Sequence, residues 1–172
     1  LTGWTIKEKK AFLNRGAVYF KPGHHDDGEK TILGRTIPAR ERRDGAKDLE
    51  NLIDIVCAHP ATAHYVSLKL CRRFVGYDPP EALVSRVSSD FTTSKGDIKT
   101  LLRTILLSEE FNQSKGQRFK RPFRYIVSTL RTLGADTHAH KSLIEYFKRM
   151  GQTPFSYPTP DGYPEEELPW MG

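Results

Sequence analysis

Apolar and polar residues follow two different periods along this chain, and the change falls near residue 47. From there to residue 150, apolar residues recur every three or four positions, which is the period of an amphipathic helix. Proline or glycine separates successive stripes, as His59-Pro60 does between the first two. The pattern predicts about six helices. They begin near Asp44 or Asp48, Ala61, Pro80, Asp97, Pro122 and residue 138, with a polar basic linker over residues 112–120.

The helical stripes also predict which residues lie inside. In a globular domain the apolar stripe of a helix faces the core. The third predicted helix carries a stripe of this kind formed by Leu83, Val87 and Phe91, and the fourth carries one formed by Ile98, Leu101, Leu102, Ile105 and Leu106. The stripe of the fifth is expected to face inward as well, and it consists of Phe123, Ile126, Val127, Leu130 and Leu133.

The two ends of the chain have other patterns. Residues 17–20 and 31–33 are short β-type runs with Pro22-Gly23 and Asp27-Gly28 between them, which predicts a small β-hairpin or an irregular β excursion. The last 22 residues hold five prolines and no Lys or Arg, which predicts an extended segment with turns. We therefore expect one mainly α domain. Its parts are a β/loop excursion over 1–47, a helical core over 48–150 and an extended tail over 151–172.

Length and composition narrow the class of protein. A chain of 172 residues and 19.6 kDa is long enough to bury a hydrophobic core. No apolar run approaches the roughly 18 to 20 residues of a membrane helix, and no signal-peptide pattern follows Leu1. Two cysteines are too few for a disulfide scaffold. Because the chain opens on Leu1 and not on Met, we expect it to be a piece of a longer protein.

Charge is unevenly distributed. Residues 112–150 carry nine Lys or Arg against two Asp or Glu, and residues 151–172 carry four acids and no Lys or Arg. A basic surface attracts phosphate-rich partners, but it also serves solubility. Because the acidic tail could neutralise the basic stretch within one molecule, the charge alone makes nucleic acid an unlikely partner.

Residues 24–27 form the one dense cluster of metal-type ligands in the sequence: His24, His25, Asp26 and Asp27. Imidazole suits zinc or another transition metal, and carboxylates suit calcium or magnesium. Four consecutive side chains do not easily converge on one ion, so a closed site needs a further ligand. Candidates for it are Asp44, His59, His64 and Asp161. The alternative is a solvated loop in which Asp-Gly is turn chemistry, so a divalent metal remains an open prediction.

Two groups of cations are candidate residues for binding an anion or a partner. Arg72 and Arg73 lie on the second predicted helix, and Lys120 and Arg121 lie at the start of the fifth. For the first pair, the alternative is a structural ion pair with an acid on a neighbouring segment. Cations disfavour the positive end of a helix dipole. An acidic partner, the glutamates at 165–167 or solvent alone would therefore hold the second pair.

The tail carries aromatic residues between its prolines. This arrangement suits packing on a peptide, a glycan or another part of the same protein. The candidate recognition residues are Gln152, Phe155, Tyr157, Asp161 and Tyr163. The sequence contains no nucleophile elbow, no phosphate-loop glycine pattern and no Cys-x-x-Cys, so whether the chain is an enzyme stays open.

Several motifs along the chain carry a family resemblance. They are Leu1-Thr2-Gly3-Trp4, Lys30-Thr31-Ile32-Leu33-Gly34, His59-Pro60-Ala61-Thr62-Ala63, Lys69-Leu70-Cys71-Arg72-Arg73-Phe74-Val75, Lys120-Arg121-Pro122 and Pro160-Asp161-Gly162-Tyr163-Pro164. In this order they resemble the bacterial family called domain of unknown function 1800, although Cys71 and Tyr163 stand where Trp is frequent. The resemblance implies the C-terminal portion of an exported bacterial protein, periplasmic or secreted, often encoded beside a second exported protein. It implies no reaction.

Three functions are compatible with these features. The first is a helical domain that binds or assembles with a partner, either the missing N-terminal portion of the same protein or another exported protein. The second is a metal-assisted hydrolase that uses His24, His25, Asp26 and Asp27. The third and weakest is nucleic-acid binding through the basic stretches 35–47 and 115–124, whose affinity would fall steeply with added salt.

Overall fold

A computed structural model describes residues 2–6 and 16–171 of the chain. In this part of the chain the fold is mainly α, as the sequence predicts, with seven helices and four short strands. The strands are β1 Trp4–Ile6, β2 Val18–Phe20, β3 Lys30–Ile32 and β4 Arg35–Ile37. The helices are α1 Lys47–Cys57, α2 Pro60–Phe74, α3 Glu81–Thr93, α4 Ile98–Leu106, α5 Glu109–Gln113, α6 Pro122–Thr132 and α7 Lys141–Arg149. The helix not predicted from the sequence is the short α5, which Ser108 caps by accepting from the Phe111 N–H.

The β region consists of two separate antiparallel hairpins. Strand β1 pairs with β2, with Trp4 opposite Phe20, and β3 pairs with β4, with Lys30 opposite Ile37. The second hairpin turns at Leu33 and Gly34, whose φ angles are +51° and +72°. Two positive φ angles are typical of the tight turn that matches the twist of a hairpin. The two β-type runs of the sequence therefore lie in different hairpins.

The chain forms two compact units, which we call unit 1 and unit 2. Unit 1 comprises Leu1–Leu70 and Glu81–Thr104, and unit 2 comprises Cys71–Pro80 and Ile105–Gly172. In unit 1, α1 packs on β4, where Ile37 is fully buried. The predicted stripe of α3 is confirmed, since Leu83, Val87 and Phe91 are buried. The stripe of α4 is confirmed at Leu101 and Ile105, which are buried, and is wrong at Ile98 and Leu106, which are 46% and 40% exposed.

Unit 2 contains α5, α6, α7 and the proline-rich segment 151–172. The Phe123 ring of α6 stacks on the buried Phe147 ring of α7, with ring centroids 5.4 Å apart. The prediction that the whole α6 stripe faces the core is wrong for two residues, because Phe123 is 44% exposed and Leu133 is 75% exposed. Among the described residues, no helix has the length and apolar character needed to cross a membrane.

Candidate functional site

Asp48, the second residue of α1, lies at the centre of a buried cluster of charges in unit 1. Its carboxylate is 1% exposed and has two cationic side chains and one imidazole around it. Lys30 Nζ lies 3.0 Å from Oδ2, Arg40 Nε lies 3.1 Å from Oδ1, and His25 Nε2 lies 3.6 Å from Oδ2. These contacts lack hydrogen-bond geometry at Asp48, so charge attraction holds the cluster together. It joins residues from the 24–27 loop, from β3 and from the segment after β4 to helix α1.

His25 occupies a tight space within this cluster. Its Nδ1 lies 3.4 Å from the Thr2 carbonyl oxygen, so both ring nitrogens face oxygen atoms. The edge of the Phe20 ring packs on the imidazole, with centroids 5.6 Å apart. Gly45 lies so close to the ring that a Cβ at this position would overlap it. The fold therefore uses His25 as a buried contact between segments.

The other three predicted metal ligands point elsewhere. His24 and Asp27 are exposed, and Asp27 lies 3.7 Å from Arg42. Asp26 Oδ1 accepts from the Gly28 N–H at 2.9 Å; this hydrogen bond, together with the charge of Lys30, lowers the pKa of Asp26. Among the described residues, no group of three or more His, Cys, Asp and Glu side chains is placed to hold one metal ion. The metal prediction stays a prediction.

A groove of about 680 Å³ in unit 2 brings together cations that are scattered in the sequence. Its apolar walls come from the end of α2, the segment before α6 and one face of α6. Phe123, Val127 and Arg131 recur at four-residue spacing along that face, and Arg124 and Ser128 lie beside them. The complete lining is Arg73, Phe74, Arg118, Phe119, Lys120, Phe123, Arg124, Val127, Ser128, Arg131 and Thr132. We call this site the basic groove.

The charges of the basic groove are unbalanced. Five of its lining residues are Lys or Arg, and in the part of the chain that the structure describes no acidic side chain lines it. Arg118 stacks on the Tyr77 ring at 5.3 Å, yet its buried Nε has no hydrogen-bond acceptor among the residues that the structure describes. Lys120 Nζ donates to Ser128 Oγ at 3.2 Å. Converging cations beside exposed aromatic surface are suited to bind an anion that also carries apolar groups.

The four cations predicted as anion ligands have different roles. Arg73 and Lys120 line the basic groove. Arg121 instead donates to the Pro164 carbonyl oxygen at 2.8 Å and so fixes the proline-rich segment to the start of α6. Arg72 lines a separate recess of about 340 Å³ together with Tyr157, Asp161 and Glu166. The recess of Arg72 therefore has acidic residues in its lining, in contrast with the basic groove.

Most of the predicted recognition residues make contacts within unit 2. Buried Gln152 accepts from the Phe123 N–H through Oε1 at 2.8 Å. The Tyr163 hydroxyl donates to the Thr153 carbonyl at 2.9 Å, and its ring packs between Tyr157 and Trp170, with centroids 4.7 and 5.8 Å away. These contacts give the proline-rich segment a defined shape, and its regular structure is one 3₁₀ turn over Leu168–Trp170.

Phe155 is the exception in this segment. Its side chain is fully exposed, and its φ is +59°, a left-handed conformation that bulky residues rarely adopt. The Ser156 N–H donates to the Thr153 carbonyl oxygen at 3.2 Å and closes the turn. We call residues 153–156 the Phe155 turn.

Comparison with known proteins decides the family. The model of a family described as "Protein of unknown function (DUF1800)" matches residues 1–172, which is the whole chain. The chain belongs to the DUF1800 family. Neither a curated protein nor a solved structure matches it.

Sequence reasoning missed two features of this DUF1800 chain. It treated Asp48 only as a residue near a helix start, and no local pattern indicates that His25, Lys30 and Arg40 surround it. It also treated Phe123 and Val127 as core. The available signal was the spacing of Arg124 and Arg131, which follows the same helical face in the most basic part of the chain.

Proposed function

We propose that this DUF1800 chain is a partner-binding domain, and that the basic groove holds an anionic protein segment with apolar side chains. The observation that carries the proposal is the convergence of five Lys or Arg side chains on one apolar groove without a lining acid among the described residues. The export of the protein, implied by the family resemblance, is part of the proposal.

The chemistry of the groove favours a protein partner with both charge and apolar surface. Carboxylates would accept from the Arg118 and Arg124 guanidinium groups, and each charge-assisted hydrogen bond is stronger than a neutral one. The Phe123 ring, 44% exposed at the groove, would gain burial from an apolar side chain of the partner. Because interface energy concentrates on aromatic and Arg residues, this groove has the composition of a binding centre.

The test is a binding titration with a fluorescein-labelled peptide built of Glu-Glu-Phe repeats. Substitution of both Arg124→Glu and Arg131→Glu should weaken binding at least about tenfold, which corresponds to about 1.4 kcal/mol. The matched control is Lys141→Glu with Arg149→Glu on α7. It makes the same change in net charge at exposed positions outside the groove.

Two further probes separate the alternatives. A Gln-Gln-Phe peptide and a Glu-Glu-Ser peptide should each bind more weakly, because the first lacks the carboxylates and the second lacks the aromatic ring. A labelled oligo(dT) tests nucleic acid, whose binding would fall steeply with salt through counterion release. Equal peptide binding by the groove variant and the α7 control, or tight binding of oligo(dT) with no binding of the acidic peptide, would refute the proposal.

A further inference from the structure

The Phe155 turn projects an aromatic ring from unit 2 at a fixed position. The ring is fully exposed, and the backbone of Phe155 is in the left-handed region. Both features are unfavourable in an isolated chain, since water contacts the ring and the side chain strains the backbone. Hydrogen bonds hold the turn nevertheless, because the Thr153 carbonyl oxygen accepts from both the Ser156 N–H and the Tyr163 hydroxyl. A strained, exposed and well-anchored aromatic residue is typical of a contact residue.

The segment that carries this turn complements the basic groove in charge. Residues 151–172 contain Asp161, Glu165, Glu166 and Glu167 and no Lys or Arg. The basic groove has five cations and, among the residues described, no lining acid. The Phe155 ring can supply the apolar group for the aromatic wall of the groove, and the net negative charge of the segment is opposite to that of the groove.

The turn and the groove are neighbours on unit 2. Gln152 accepts from the N–H of Phe123, and Phe123 lines the groove. Phe155 follows three residues later, and three residues span at most about 10 Å. When a projection and its complementary groove lie next to each other, two copies can exchange them about a two-fold axis. Such a contact is closed and limited to a dimer.

We propose that the partner in the basic groove is a second copy of this chain, with Phe155 of each copy inserted into the groove of the other. This inference rests on the proposed function, because it names the occupant of the same groove. The contact is small, so we expect a weak and concentration-dependent dimer and not a permanent one.

Sedimentation velocity at protein concentrations from about 5 to about 300 µM tests the proposal, since this range brackets the dissociation constants of weak dimers. The wild-type chain should pass from monomer to dimer as its concentration rises. Phe155→Asn should raise the dissociation constant at least about tenfold, because it removes a central aromatic anchor. Asn accepts the left-handed backbone, so this variant should fold normally. The control is Leu107→Asn, at a residue that is 77% exposed outside the groove and the turn.

A mixing experiment distinguishes insertion of the Phe155 ring into the basic groove from nonspecific association. The Phe155→Asn variant keeps the groove and lacks the ring, whereas the Arg124→Glu and Arg131→Glu variant keeps the ring and lacks the groove. Each should be monomeric alone. Their mixture should form a heterodimer through one intact ring and groove, weaker than the wild-type dimer. Failure of the mixture to associate more than either variant alone would overturn the proposal.

A photo-crosslink gives the position of the ring directly. An unlabelled copy carries benzoylphenylalanine at position 155 and is mixed with a ¹⁵N-labelled copy. Irradiation should crosslink position 155 of the unlabelled copy to residues 118–131 of the labelled copy. Crosslinks only within one copy, or to other regions of the labelled copy, would contradict the proposal.

The two proposals fail in different ways. If the chain stays monomeric while the acidic aromatic peptide still binds to the groove, the dimer is refuted and the partner-binding function stands. If the peptide does not bind and the chain stays monomeric, both are refuted. If the chain dimerises but Phe155→Asn dimerises as the wild type does, the insertion is refuted.

Discussion

Asp48 is an acidic side chain almost completely removed from water in unit 1. A buried carboxylate is costly unless opposite charges compensate it, and here the compensation comes from Lys30 and Arg40, with the His25 ring beside them. Lys30 and Arg40 are 14% and 24% exposed, so they keep part of their own hydration. The cluster therefore joins four segments through one negative charge, and its removal leaves cations without a counter-charge.

This arrangement predicts a large loss of stability for Asp48→Asn. The substitution preserves the shape and deletes the charge, so repulsion among the cations replaces attraction. We expect the free energy of unfolding to fall by about 3 kcal/mol. This is the lower end of the range for breaking a buried ion pair, because both Lys30 and Arg40 are partly exposed to solvent. Urea denaturation followed by circular dichroism measures this change.

The matched control for Asp48→Asn is Asp54→Asn on the same helix. Asp54 is exposed on α1, so its substitution should change the free energy of unfolding by less than about 0.5 kcal/mol. Equal effects of the two substitutions would show that the buried cluster does not stabilise unit 1.

The residue scale is where sequence reasoning was weakest. His25 belongs to a ligand-rich run, and the run alone cannot distinguish a metal ligand from a buried partner of a carboxylate. The distinction depends on Thr2 and Asp48, which lie 23 residues away on either side of His25. The lack of space at Gly45 depends on the same packing. Contacts between distant segments leave no periodic signal.

At the scale of elements, the start of α6 depends on a residue from another segment. The side chain of Arg121 provides no cap, and Pro122 has no N–H, so the first free N–H is that of Phe123. Gln152 Oε1 accepts from it at 2.8 Å inside the protein. A single amide thus positions the start of the helix that forms one wall of the basic groove.

Gln152→Ala should therefore destabilise α6 locally. We expect a loss of about 1 to 2 kcal/mol, because the partly buried Phe123 N–H loses its acceptor. Hydrogen–deuterium exchange should show that the substitution speeds exchange in the first turn of α6 and leaves exchange in α3 at the wild-type rate. Gln117→Ala, at an exposed position before α6, should leave this exchange unchanged, and faster exchange in both variants would argue against a capping role.

Elements were predicted better than contacts. The stripe of α3 was correct because Leu83 and Val87 are covered, whereas α4 buries Leu101 and leaves Ile98 and Leu106 partly exposed. The stripe of α6 was correct in period and wrong in burial at Phe123 and Leu133. Periodicity states which face of a helix is apolar. It does not state what covers that face, and the uncovered part of α6 is where the candidate site lies.

At the scale of the whole molecule, three carboxyl groups make the stability of the folded chain depend on pH. The pKa of Asp26 is lowered by the Gly28 hydrogen bond, that of Asp44 by Lys47, and that of Asp97 by the hydroxyl and N–H of Thr100. All three belong to unit 1. Each group binds a proton less readily in the folded state than its ordinary pKa of 3.8 implies. Their stabilising effect is therefore complete above pH 3.8 and disappears as the pH falls through the lowered values.

Asp97 gives the sharpest test of this dependence, because Oδ2 accepts from the Thr100 N–H and hydroxyl at 3.1 and 2.6 Å at the start of α4. Asp97→Ala should lower the melting temperature clearly at about pH 6, where the carboxylate is charged, and progressively less as the pH falls through the lowered pKa of Asp97. Thermal melts of wild type and variant across this range measure the difference. Ser89→Ala, at an exposed position on α3 that does not ionise, should give a difference independent of pH. A constant difference for Asp97→Ala as well would mean that its charge does not stabilise the helix start.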